Sequence, residues 1–197
     1  MYAGRFDPRK GIETLVRAVA KSEVKRHKNL KLMIVGGYTP GEKDGIEKER
    51  IASIVEELGI EDITIFTGKV RHQELAYYYA AADVCVVPSH YEPFGLDEIE
   101  AMASRTPVIA SKVGGLKFSV ADNKTGLLVA PQDEADFAQA IDSILSNPEW
   151  REQLGKNARK RVESKFSWDG VAIQLDKEYF SRLNNLYSEK AILVNGE

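Results

Sequence analysis

Two rhythms of apolar residues alternate along the chain. Ile12, Leu15, Val16, Val19 and Ala20 recur at helical spacing, and the pattern predicts a helix over 12–27. Short, mostly apolar runs at 30–35, 63–66 and 83–87, the last unbroken from Val84 to Val87, are bounded by turn residues, which predicts buried parallel strands. Residues 1–4 read as the end of another strand, and 106–110 and 126–129 as two more. Helical period also predicts helices over 46–58, stopped by Gly59, and over 73–82, where the consecutive Tyr77, Tyr78 and Tyr79 cannot all face one way. A further helix is expected to begin near Phe94 or Gly95, with Leu96, Ile99, Met102 and Ala103 on one face. After Pro131 the pattern is helical over 134–145, 148–165 and 168–186.

Strands alternating with helices in this way predict an α/β fold, a doubly wound parallel sheet of about six strands with helices on both faces. No internal repeat or low-complexity linker divides the chain, so one domain is expected over 1–187 with a tail at 188–197. Ligands of such sheets bind beyond the carboxyl ends of the strands, where the strand order reverses. The loops starting at Arg5, Gly36, Gly68 and Pro88 all leave carboxyl ends, so they converge on one crevice.

Composition narrows the chemistry. With 197 residues, 43% hydrophobic and 29% charged, the chain can bury one good core, and a net charge of -3 gives no footprint for nucleic acid. A single cysteine, Cys85, excludes an internal disulfide and reads as a core residue of the fourth strand. No apolar segment approaches the roughly 18 residues of a membrane-spanning helix, and the first residues lack a signal-peptide pattern. The cytoplasm, including its membrane periphery, is the expected location. His27, His72 and His90 are scattered, and neither His-x-x-His nor Asp-x-Asp occurs, so no metal site and no cofactor are expected. The glycines do not follow G-x-G-x-x-G, and no nucleophilic triad can be assembled.

The chemistry gathers in two loops. Pro93 disfavours helix at Glu92, leaving that carboxylate in the loop after the fourth strand, while Glu100 follows on the second turn of the expected helix. Free amides of Phe94, Gly95 and Leu96 would then point into the crevice as donors at a positive dipole end, between two carboxylates able to accept from vicinal hydroxyls. In the first loop Arg5 and Lys10 lie between Gly4 and Gly11, a fork and a point charge suited to phosphate oxygens. Gly36 and Gly37 either allow close approach of backbone to a ligand or only make a turn. Lys69 and Val70 follow Gly68 in the third loop.

Glu-Pro-Phe-Gly-Leu followed by Glu100, with seven residues between Glu92 and Glu100, resembles the paired-glutamate motif of retaining GT-B glycosyltransferases of the group 1, or family 4, type. The likeness extends over most of the chain, and Gly4-Arg5 with Lys10-Gly11 resembles the diphosphate clamp of that family. The resemblance implies a Rossmann-like, nucleotide-sugar-binding C-terminal half, with an N-terminal acceptor domain missing. It implies a metal-independent hexosyl transfer from a UDP, GDP or ADP sugar to a sugar, polyol or lipid-linked glycan. Arg5, Lys10 and Glu92 would serve catalysis, Glu100 would hold the ribose, Phe94, Gly95 and Leu96 would contact the sugar or distal phosphate, and Lys69 and Val70 would read the base through backbone. The loop over 36–46, with Asp44 and nearby Glu47, is similar to the sucrose-phosphate and inositol-phosphate branch. The last helix, with Trp168, Leu175, Tyr179 and Phe180, would pack across to the missing half or dock on this sheet alone. Three positions depart from the family. Asp97 and Glu98 stand where small or apolar residues are usual, adding negative charge near a diphosphate site, and Arg105 stands where glycine is usual. A binding module without transfer, or an epimerase or phosphorylase of the same fold, are the alternatives.

Overall fold

The structure, a computed structural model, describes residues 1–26 and 30–194. Its strands are β1 (Tyr2–Ala3), β2 (Leu32–Val35), β3 (Thr64–Gly68), β4 (Cys85–Val87), β5 (Val108–Ser111) and β6 (Gly126–Val129). The helices are α1 (Ile12–Lys21), α2 (Lys43–Glu57), α3 (His72–Ala81), α4 (Asp97–Ala103), α5 (Leu116–Ser119), α6 (Glu134–Leu145), α7 (Pro148–Lys165) and α8 (Trp168–Val194).

Every strand pair is parallel, in two three-stranded sheets ordered β1-β2-β3 and β4-β5-β6. Val86 N donates to Met1 O at 2.8 Å and Met1 N donates to Val84 O at 2.7 Å, which sets β4 beside β1 on the side away from β2. The spatial order is therefore 3-2-1-4-5-6, and it reverses between β1 and β4. The core lies where Leu15, Val16 and Val19 of α1 meet Ile34, Ile109 and the α6 residues Phe137, Ile141 and Ile144, with Ile51 of α2 behind them, all buried. Burial of this apolar face holds α1 and α6 against the sheet, and the loop between β1 and α1 is anchored with them.

Several boundaries differ from expectation for visible reasons. The helix expected over 12–27 stops at Lys21, because Asp142 of α6 captures the turn: it accepts from Ser22 Oγ and, at 3.0 Å, from Glu23 N. The expected end at His27 lies outside the described residues. Helix α2 begins at Lys43, earlier than expected, where Asp44 Oδ1 accepts from Gly45 N at 2.8 Å and Thr39 N at 3.2 Å. Helix α4 begins at Asp97 rather than near Phe94, since Gly95 holds φ +74°, outside any right-handed helix. The short helix α5 was not anticipated. Tyr79 is buried and Tyr77 exposed, as three consecutive helical tyrosines require. Cys85 is fully buried in β4, and burial pushes its thiol up to about 12.

The chain divides into two compact units, Met1–Arg159 and Lys160–Glu197. The first holds all six strands and every candidate site residue. The second holds the end of α7 and α8, whose start is capped by Ser167 Oγ accepting from Gly170 N at 3.0 Å; Trp168, Tyr179 and Phe180 are exposed on it. Among the described residues no helix is long and apolar enough to cross a membrane.

Arg105 closes α4 in the left-handed conformation, φ +63°, where a Cβ crowds the backbone. Arg105→Gly is expected to stabilise the protein by up to about 1 kcal/mol, net of glycine's extra unfolded-state freedom, and to raise Tm by roughly 2–4 °C in a thermal melt.

Candidate active site

The crevice at the β1/β4 switch is built by close backbone approach. The β1 strand ends in Gly4, and Tyr2 doubles back beneath it so that its hydroxyl donates to Arg5 O at 2.9 Å. Asp7 then caps the tight turn Pro8–Lys10, accepting from Arg9 N at 2.9 Å and pairing with the Arg9 guanidinium at 2.6 Å; that bond holds its carboxyl down at about 2. Gly11 follows with φ +68°, and a Cβ there would lie 2.1 Å from Pro88 O. His90 N donates to Arg9 O at 2.8 Å. The loop after β1 is thus pressed directly onto the loop after β4.

This contact brings the charged side chains together. Lys10 Nζ lies 2.6 Å from Glu92 Oε2 and 3.6 Å from Asp97 Oδ2, with Lys10 and Glu92 mostly buried. Ser89 Oγ donates weakly to the same Glu92 oxygen at 3.4 Å. Arg5 is exposed at the rim. Arg5, Asp7, Arg9, Lys10, Tyr91, Glu92 and Pro93 line a cleft of about 200 Å³. A second cavity of similar size, lined mainly by aliphatic residues such as Met1, Leu32, Val84 and Ile141, lies at the amino ends of the strands, away from this chemistry. Burial raises the Asp97 carboxyl, against the opposing pull of Lys10.

Glu100 faces another neighbour. Its Oε1 is 3.8 Å from His72 Nε2 at the start of α3, and burial raises its carboxyl. The buried Tyr79 hydroxyl stands close enough to interact with it electrostatically. The two glutamates therefore look toward different loops, Glu92 to the loop after β1 and Glu100 to the loop after β3. The glycines close the arc between these loops: a Cβ on Gly36 would lie 2.3 Å from Gly4 O, and one on Gly37 would lie 3.2 Å from Lys69 Cβ. Lys69 is exposed and Val70 half-buried beside them.

The turn carrying Phe94, Gly95 and Leu96 precedes α4 instead of forming its first turn. Leu96 is the residue before the helix, and Leu96 O accepts from Glu100 N at 2.9 Å, so Glu100 belongs to the first turn and not the second. The amides unpaired by the helix itself are accordingly those around Leu96, Asp97 and Glu98, with Phe94 and Gly95 in the turn before them. Phe94 and Leu96 are exposed, and Gly95 is buried.

Sequence reasoning missed the support for this turn. Gly115 N donates to Glu92 O at 3.0 Å, a Cβ on Gly114 would lie 2.0 Å from that carbonyl, and one on Gly115 would lie 2.6 Å from Pro93 O. The Gly114-Gly115 pair was visible only as a turn ending the fifth strand, and nothing local in the sequence shows which loop it touches.

A parallel sheet of this order, with its charged crevice at the reversal, is the architecture of the C-terminal half of a GT-B fold. The chain belongs to the glycosyl transferases group 1 family, which matches residues 1–161. It is 50% identical to sucrose-phosphate synthase from Thermosynechococcus elongatus, with a TM-score of 0.81 over 93% of this chain and 45% of that one. It is 37% identical to a D-inositol 3-phosphate glycosyltransferase of Frankia alni, covering 91% of this chain and 44% of the relative. HepE from Anabaena in complex with UDP is 25% identical, with a TM-score of 0.79 over 91% of this chain and 48% of that one. The chain thus spans less than half the length of these relatives.

Gly114→Ala is expected to displace the Glu92 carbonyl, because neither the 2.0 Å approach nor the φ of +41° tolerates a Cβ. Chemical shifts of the Glu92 and Gly95 amides should move by far more than those of the β2 and β3 amides, whereas a uniform loss of all native signals would mean the turn is part of the global core.

Proposed function

We propose that this chain is the donor-binding half of a retaining glycosyltransferase, which holds a UDP-linked hexose in the crevice between the loops after β1 and β4. Joined to an acceptor-binding half, it would transfer the hexosyl group to a hydroxyl of a phosphorylated sugar or polyol, keeping the anomeric configuration. The observation that carries this reading is Lys10, fixed at the β1/β4 switch between Glu92 and Asp97, with Arg5 at the rim. The UDP complex of HepE supports the base, and the names of the sucrose-phosphate and inositol 3-phosphate relatives support the acceptor class.

The mechanism follows from charge. As the bond between the anomeric carbon and the diphosphate breaks, negative charge grows on the departing oxygens, and cations already aimed there lower the barrier. Arg5 offers a planar fork to two phosphate oxygens. Lys10 has three N–H donors, so it can keep Glu92 and still donate to a phosphate oxygen. These positive side chains supply the charge that a divalent ion would otherwise bring. Glu92, held by Lys10, faces the sugar. The amides of Phe94, Gly95 and Leu96 contact the sugar or the distal phosphate. Glu100, directed to the loop after β3, accepts from the ribose hydroxyls, and the backbone of Lys69 and Val70 reads the base, with Gly36 and Gly37 admitting the ligand close to the chain. The acceptor hydroxyl attacks from the face the diphosphate leaves, so no side chain of this half needs to become a covalent nucleophile.

Asp97 favours a second reading. Two carboxylates on Lys10 offset the two cations of the clamp, which suits a module that binds nucleotide weakly and transfers nothing.

Calorimetric titration with UDP, GDP and ADP in EDTA tests the donor site. UDP is expected to bind in preference to the others, and Arg5→Ala or Glu100→Ala to weaken it by about 1.5–3 kcal/mol, the range for a lost charged hydrogen bond. Equal binding of all three, or undiminished binding in both variants, would overturn the donor assignment.

A further inference from the structure

Glu98 is fully buried, although it is a carboxylic acid. It lies directly under the turn that precedes α4. A Cβ on Gly95 would fall 2.3 Å from Glu98 Oε2 and 2.7 Å from Oε1, so the carboxyl occupies the space that any other residue's side chain would need. Ser119 Oγ of α5 donates to Oε1 at 2.8 Å, while the buried Oε2 has no hydrogen-bond partner among the described residues. Ser119 is itself placed by the Gly114-Gly115 turn, through its backbone bond to Gly115 O at 3.0 Å. The carboxyl therefore joins the two segments that grip the turn: Gly115 holds it from Glu92, and Glu98 holds it from Gly95.

We propose that Glu98 is a positioning residue for donor binding: its carboxyl, wedged beneath Gly95 and tied to Ser119, holds Phe94, Gly95 and Leu96 in the conformation that receives the sugar and distal phosphate. This rests on the donor assignment above. The groups that face the carboxyl are Ser119 of α5, Asp97 beside it on α4, Glu92 in the loop after β4 and the Cys85 thiol of β4. None is a cation, and the nearby Lys10 is engaged by Glu92 and Asp97. Burial pushes the Glu98 carboxyl up to about 8. At neutral pH it is accordingly the uncharged acid, and the charge expected of it beside a diphosphate is absent. Above that range it ionises, placing a negative charge with no cation to pair it under the turn, supported only by the Ser119 hydroxyl and the backbone amide of Glu98 itself. The folded-state value is raised above that of the unfolded chain, so the stability the group lends is full below the ordinary carboxyl value of 4.5 and is lost progressively as pH rises to about 8, where the folded protein itself ionises.

Two readouts over pH 6.5–9.5 test this on the ligand-free protein and on Glu98→Gln and Glu98→Ala: the amide shifts and hydrogen exchange of Gly95 and Leu96, and UDP affinity by calorimetry. In the unsubstituted protein the two amides should titrate with a midpoint near 8, and UDP affinity should fall about tenfold between pH 7 and pH 9, the protonated fraction lost over that span. Glu98→Gln, neutral and of the same shape, should keep the neutral-pH affinity and flatten both profiles. Glu98→Ala should exchange the Gly95 and Leu96 amides faster and bind UDP more weakly at every pH. Amides that ignore pH in the unsubstituted protein, or Glu98→Ala matching it in both readouts, would overturn the proposal. Absence of UDP binding at any pH would instead overturn the donor assignment, and the amide titration would still decide whether Glu98 holds the turn.

Discussion

The site depends on two loops that cross backbone to backbone at Gly11. Gly11 passes so close to Pro88 O that a methyl group would overlap it, and the backbone bond from His90 to Arg9 locks the crossing. That bond pattern can form only because β1 and β4 are neighbours pointing the same way, with the strand order reversing between them. The crossing decides where Lys10 emerges, and Lys10 in turn fixes Glu92. If either loop moved by the width of a methyl group, the ion pair would open and leave a mostly buried carboxylate without its cation, a costly state.

Much of the fold was legible because the core is periodic. Helices α6 and α7 and strand β6 lie where their patterns place them, since apolar spacing and a proline near a helix start report on local structure. The errors fall where a distant residue decides. Asp142, on α6, ends α1, and no periodicity in α1 could reveal it. At Gly95 the sequence carried a local signal, a glycine able to take positive φ, but continuous helical spacing through Leu96 and Ile99 masked it.

The candidate site was legible in its residue types and less so in its connections. Arg5, Lys10, Glu92 and Glu100 announce themselves by spacing around glycine and proline, and the structure brings the first three to one cleft while Glu100 turns to His72. What spacing could not show was the scaffold behind them. Nothing local in the sequence ties Ser119 or the Gly114-Gly115 turn to the site, whereas the structure sets the carbonyl of Glu92 and the carboxyl of Glu98 against them. Glu98 also reverses sign as an argument: from sequence it is one more negative charge, and from burial it is a neutral wedge.

Two of the cations that line the crevice, Arg5 and Lys10, sit in different dielectric surroundings. Arg5 is bathed by solvent, whereas Lys10 is sheltered between carboxylates. Mobile ions screen exposed charges over roughly 8–10 Å at physiological ionic strength and reach sheltered ones far less. Added salt should thus silence the rim of the crevice before its floor, so under the proposed donor binding the long-range pull on an anion and the short-range grip on it would belong to separate residues.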